Sequence, residues 1–66
     1  MDPYRIIIAD DHALFRQGLR ILLDQVPGLE VVGEAENGAS LIRLLNEVTA
    51  DIIFLDIYHD AQPPGN

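Results

Sequence analysis

Two apolar runs that each end on aspartate constrain this chain more than any other feature. Arg5-Ile6-Ile7-Ile8-Ala9 runs into Asp10-Asp11, and Ile52-Ile53-Phe54-Leu55 runs into Asp56. Neither run alternates between apolar and polar residues. A strand that is apolar at every position needs cover on both faces, as in a parallel sheet flanked by helices. A third β-branched segment, Leu29 to Ala35, is centred on Val31-Val32.

Between these runs the period becomes helical. From Ala13 to Val26, the residues Phe15, Leu19, Leu22 and Val26 form a stripe that Leu14 and Leu23 widen. Arg16, Gln17, Arg20 and Asp24 fall largely off it. Asp11 is the expected N-cap and Pro27-Gly28 the stop. Gly18 costs up to about 1 kcal/mol relative to Ala inside a helix, which marks it for close packing against the sheet. After the turn signal Glu36-Asn37-Gly38, a second helix carries Leu41, Leu44, Leu45 and Val48 on one side. The order β-α-β-α-β predicts parallel strands with right-handed crossovers. The doubly wound solution puts the first strand in the middle, in order 2-1-3, with the helices on opposite faces. The last nine residues, YHDAQPPGN, are Pro-rich and aperiodic and read as coil.

Composition narrows the function. The 66 residues carry eleven acids against four bases, a net charge of −7, and the bases are Arg5, Arg16, Arg20 and Arg43, with no Lys. Such a chain is a poor ligand for phosphate backbones, so direct nucleic-acid binding is not expected. There is no Cys, which excludes disulfides and thiolate metal sites. The apolar runs are too short to span a bilayer, and MDPYR lacks the basic start of a secretory signal. A cytoplasmic location is the expectation. At this length a chain buries only about 60% of its unfolded surface, so a partner is expected to supplement its core.

In a 2-1-3 sheet the first and third strands are neighbours, roughly 4.8 Å apart. Asp10, Asp11 and Asp56 then meet at the carboxyl edge, where open α/β sheets bind ligands. Like charges this close repel, and a hard divalent cation relieves the conflict. Magnesium takes one or two carboxylates, keeps several waters and favours phosphate oxygens. A carboxylate beside it can act as a nucleophile toward phosphorus. Each Asp alone is equally a turn former or helix cap, and spacing leaves both readings open. His12 reads as a solvent-facing residue of the loop or first helical turn, and His59 has no evident partner.

The segments RIIIADDHALFRQGLRILL, EVVGEAENG and ADIIFLDI, in this order, resemble the receiver domain of two-component response regulators. The Asp-Asp-His start and the Arg-x-Gly-Leu after it are most similar to the NarL/FixJ/LuxR-type subfamily. The resemblance covers Tyr4 to Ile57. It implies a flavodoxin-like (CheY-like) doubly wound α/β sheet, truncated after the third strand, with residues 1–57 as the N-terminal half of a receiver and 58–66 as a tail foreign to the family. It further implies that Asp56 accepts a phosphoryl group from a sensor histidine kinase. Mg2+ would be held by Asp10, Asp11, Asp56 and the backbone carbonyl of Tyr58. Full-length relatives in this subfamily usually add a DNA-binding domain and regulate transcription, and the role implied is not that of an enzyme.

Residues 58–62 depart from the Met-Pro-containing loop that the family places there, and the family's switching Ser/Thr and phosphoryl-contacting Lys have no counterpart. Switching is therefore expected to be impaired. A frameshift, an early stop, a deliberate truncation or proteolysis are the candidate origins. A bare third strand predicts a homodimer or higher oligomer. The alternatives are a self-associating fragment or decoy without phosphotransfer, and a magnesium phosphohydrolase. The last wants Asp-x-Asp on one strand and a Lys, which this chain lacks.

Overall fold

The computed structural model describes residues 2–57. The element order is β1 (Tyr4–Asp10), α1 (Ala13–Asp24), β2 (Leu29–Ala35), α2 (Gly38–Leu45) and β3 (Ile52–Asp56). The three strands are parallel, in the order β2-β1-β3, as the alternation of periods predicts. Tyr58 and His59, with the rest of the tail, lie outside the described residues.

The core sits on β1. Ile6, Ile7, Ile8 and Ala9 are fully buried, and Ala35 is the other buried apolar residue among those described. This central strand has a neighbour on each edge and no solvent face along Ile6–Ala9. That is why this run carries no polar residue until its end.

Two neighbouring residues of β2 show that the helices lie on opposite faces. Glu34 takes ion pairs from Arg16 and Arg20 of α1, whereas a Cβ on Gly33 would meet Leu44 of α2 at 2.6 Å. Successive side chains on a strand point to opposite faces, so one helix covers each. The register slips by one residue between Ile6 and Ile7, where Ile6 pairs with Val31 and Ile7 with Gly33. Val32 therefore has no partner on β1. Such an extra residue bends a strand and strengthens its twist.

The connections are fixed by local bonds. Gly28 has φ +89°, a left-handed conformation suited to glycine, and its carbonyl accepts the Tyr4 N–H at 2.8 Å. The Asn37 side chain caps α2 by accepting the Ser40 N–H at 2.8 Å. Arg5 and Asp51 start the β1–β3 ladder. The Asp51 carboxylate accepts the Arg5 N–H and the Arg5 carbonyl accepts the Asp51 N–H, both at 2.8 Å.

Several expectations need correction. Strand β3 is exposed along its length rather than covered on both faces. Helix α2 ends at Leu45 and leaves Val48 beyond it. Four more concern α1. First, helix α1 ends at Asp24 with Gln25 as its cap, short of Val26, which closes a turn onto Leu23 instead. Second, its N-cap is His12 rather than Asp11, and no side chain caps it. Third, Gly18 has nothing within 4 Å of a Cβ position. The glycine that permits close packing is Gly33. Fourth, the α1 stripe is not buried by the described residues. Leu14, Phe15 and Leu22 are exposed while Leu19 and Leu23 are half-buried. The residues facing the sheet include Arg16, because its partner Glu34 lies on β2 beneath α1.

The two glycines predict opposite outcomes. Gly18→Ala raises stability in urea unfolding by about 0.5–1 kcal/mol, the helix-propensity difference. Gly33→Val forces branched carbon into Leu44 and lowers stability by about 1–3 kcal/mol.

Candidate phosphoacceptor and metal site

Each acid at the carboxyl edge is placed by its strand. Asp10 is the last residue of β1 and pairs with Asp56, the last residue of β3. Paired residues on adjacent strands share a face, and both acids line one groove of about 270 Å³ together with Ile8, Phe15, Leu19 and Phe54. The groove floor is apolar and the two carboxylates stand at one end of the strands that form it.

Burial separates the three acids. Asp10 is 1% exposed, the one buried charged residue among those described. Asp11 and Asp56 are exposed. The difference between Asp10 and Asp11 follows from where the strand stops. Asp10 still lies in the sheet, flanked on the β3 side by Asp56, whereas Asp11 begins the link to α1.

The Asp10 carboxylate is half satisfied. Its Oδ1 accepts the His12 main-chain N–H at 2.7 Å. Its Oδ2 is buried and has no hydrogen-bond partner. A buried carboxylate oxygen without a partner is costly, which makes Asp10 Oδ2 the candidate ligand atom of this edge. His12 Nδ1 lies 2.9 Å from Asp11 Oδ1 and 3.4 Å from Asp10 Oδ1. Ligand atoms of Asp10, Asp11 and His12 all fall within 4.8 Å of one another, and Asp56 stands outside that group. The imidazole itself is 73% exposed, in line with its reading as a solvent-facing residue of the loop.

The geometry thus brings Asp10 to Asp56 through strand pairing, and Asp10 to Asp11 and His12 through the turn. Two residues that periodicity passed over also belong here. Arg16 Nη1 donates to the Asp10 carbonyl at 2.6 Å, and its Nε donates to Glu34 Oε1 at 3.1 Å. A basic residue on the first turn of a helix that follows an acidic pair is the signal that marks Arg16. Nothing in the sequence marks Glu34, since its pairing to α1 arises only once β2 lies beside β1.

A half-open parallel sheet with carboxylates gathered at the carboxyl ends of its two adjoining strands defines a doubly wound α/β protein with its ligand edge at the strand-order reversal. The particular family follows from sequence. The family model described as response regulator receiver domain matches residues 6–59, and the chain belongs to that family. It is 51% identical over 55 residues to the nitrate/nitrite response regulator protein NarP of Escherichia coli K12, covering 83% of this chain and 26% of that protein. To the nitrate/nitrite response regulator protein NarL of the same strain it is 39% identical over 56 residues, 85% of this chain and 26% of that one. These relatives place it in the NarL/FixJ subfamily. Among solved structures, RcsB from Salmonella enterica serovar Typhimurium, bound to promoter rprA in the presence of phosphomimetic BeF3−, superposes with a TM-score of 0.74. Its identity is 36%, over 79% of this chain and 26% of that one. The chain spans about a quarter of the length of these relatives. No described helix is long and apolar enough to cross a membrane.

The unpartnered Asp10 oxygen predicts a trade between stability and function. Asp10→Asn raises stability in chelator by about 0.5–2 kcal/mol, as substitutions at strained functional sites commonly do. The same variant loses any stabilisation that Mg2+ gives the wild type. Urea unfolding with EDTA and with Mg2+ measures both.

Proposed function

We propose that this chain presents the phosphoacceptor pocket of a receiver: Asp56 accepts a phosphoryl group from a sensor kinase, and Asp10 and Asp11 hold Mg2+. The observation that carries the reading is the buried, unpartnered Asp10 Oδ2 on the strand beside Asp56. The donor set fits the ion, because hard carboxylate oxygens with room for water are what Mg2+ takes. Asp56 would be the third carboxylate, and the backbone carbonyl of Tyr58, outside the described residues, a further ligand. Bound there, Mg2+ would offset the negative charge of an incoming phosphoryl group.

The transfer asked of Asp56 is a displacement at phosphorus. A carboxylate oxygen of Asp56 forms the new P–O bond while the P–N bond of a kinase phosphohistidine breaks and its electron pair returns to the imidazole. The exposure of Asp56 admits such a donor, while Asp10, held by the His12 N–H, keeps its orientation. That RcsB was solved with a phosphomimetic supports the reading for this family. The relatives are response regulators by name, and a longer protein carrying this unit would act in transcription regulation. In this reading the unit's part is to accept the phosphoryl group. It is a phosphorylated module rather than a turnover enzyme, and we assign residues 1–57 to it and 58–66 to a tail.

A second reading, self-association, is favoured by β3. Ile52, Ile53, Phe54 and Leu55 are 37–65% exposed, and β3 pairs only with β1 among the described strands. An apolar strand with a free edge recruits another. Sedimentation at micromolar concentration is expected to show a homodimer or larger species, and a stably folded monomer would contradict this.

Phosphorylation is tested by intact mass after incubation with Mg2+ and a small acyl-phosphate donor. The expected result is a gain of one phosphoryl group, abolished by Asp56→Asn and by EDTA. An unchanged wild-type mass would leave self-association or a decoy role as the function.

A further inference from the structure

Only Asp11 and His12 separate the end of β1 from the start of α1, and Arg16 grips this link on both sides. Its main-chain N–H donates to the His12 carbonyl at 2.9 Å. Its Nη1 donates to the Asp10 carbonyl at 2.6 Å. Its Nε donates to Glu34 Oε1 at 3.1 Å, and Glu34 Oε2 accepts from Arg20 Nη1 at 2.6 Å. The Arg16 side chain is 15% exposed, so this fork is largely shielded from solvent.

The consequences follow from guanidinium geometry. Its donors are rigid and coplanar, so anchoring Nε on β2 also fixes where Nη1 points. That in turn fixes the Asp10 carbonyl, and with it the direction in which the Asp10 side chain leaves the strand. The Asp10 Oδ1 bond to the His12 N–H completes the turn and leaves Oδ2 bare. The cation does not consume that oxygen. Among the described residues its ion pair is with Glu34, and toward Asp10 it uses a neutral carbonyl. A positive group thus sits beside the acids without competing with a metal for them.

We propose that Arg16, anchored by Glu34, is the positioning residue of the divalent-cation site, setting the orientation of Asp10 through its backbone. This inference rests on the reading of Asp10 and Asp11 as Mg2+ ligands. Groups that orient metal ligands typically cost 10–100-fold in affinity when removed.

Arg20 is the internal control, since it pairs with the same Glu34 but does not touch Asp10. The experiment titrates Mg2+ into the 15N-labelled 66-residue chain and follows the amides of Asp10, Asp11 and His12. Wild type, Arg16→Gln, Arg16→Lys and Arg20→Gln are compared. Lysine keeps the charge for Glu34 but cannot hold both acceptors in one plane, so it serves where Arg16→Gln fails to fold. Both Arg16 variants are expected to raise the Mg2+ dissociation constant on the order of tenfold, while Arg20→Gln stays near wild type. Before any Mg2+ is added, the His12 amide moves in the Arg16 variants alone. Wild-type affinity in the Arg16 variants overturns the proposal, as does an equal loss in Arg20→Gln, which would make the effect one of general stability. A wild type with no saturable Mg2+ response at these amides defeats the metal reading itself, and the inference with it.

Discussion

The burial of β1 is the constraint on which the rest depends. Four consecutive apolar residues of this strand are closed off from water, and only a central position between two parallel neighbours achieves that. At about 25 cal/mol per Å² of apolar surface, three buried isoleucines are the strongest driving force available to so small a chain. The same placement carries Asp10, the next residue, to the edge of that dry region. A carboxylate is thereby buried by the strand that makes the core, and its second oxygen is left without a partner. Core and site are one feature of the sequence, an apolar run that ends in acid.

The other elements differ in how much they contribute. Helix α1 lies over β1 and β2 and α2 over β2, while β3 packs edge-on against β1 with little cover on either face. The groove between Phe15 and Leu19 of α1 and Phe54 of β3 is the result on one side. The strand that bears Asp56 is therefore the least supported of the three, whereas the strand that bears Asp10 is the best supported. The buried acid, Asp10, is one of those proposed to hold the cation, and the exposed Asp56 is the one proposed to react.

Much of this was legible in the residues. The change of period from Ile6-Ile7-Ile8 to the spacing of Phe15, Leu19 and Leu22 gives the element order, and topology rules give the strand order. The meeting of Asp10 with Asp56 follows from those two steps. What was not legible depends on contacts between elements distant in sequence. The half-burial of Arg16 was not readable from its place off the apolar stripe, because it comes with an ion pair to Glu34 on β2. Gly33, not Gly18, marks the tight contact, since it is the approach of Leu44 that crowds it. The slip at Val32 has no sequence signal at all. Helix capping failed for a related reason. Asp10 Oδ1 takes the His12 N–H, so the acid that binds the turn is the one within the sheet rather than the one after it.

The relation to response regulators and the geometry of the edge support each other without being the same argument. Family membership says which kind of chain this is, and the unpartnered Asp10 oxygen is the observation on which the metal proposal rests. The central claim, that a divalent cation completes this edge, is tested most directly with Mn2+ as a paramagnetic stand-in. At substoichiometric Mn2+, the account predicts that the amide signals of Asp10, Asp11, His12 and Asp56 broaden first and that Mg2+ restores them. Broadening spread evenly over surface acids such as Asp24, Glu30 and Glu47, with no preference for the strand ends, would contradict it.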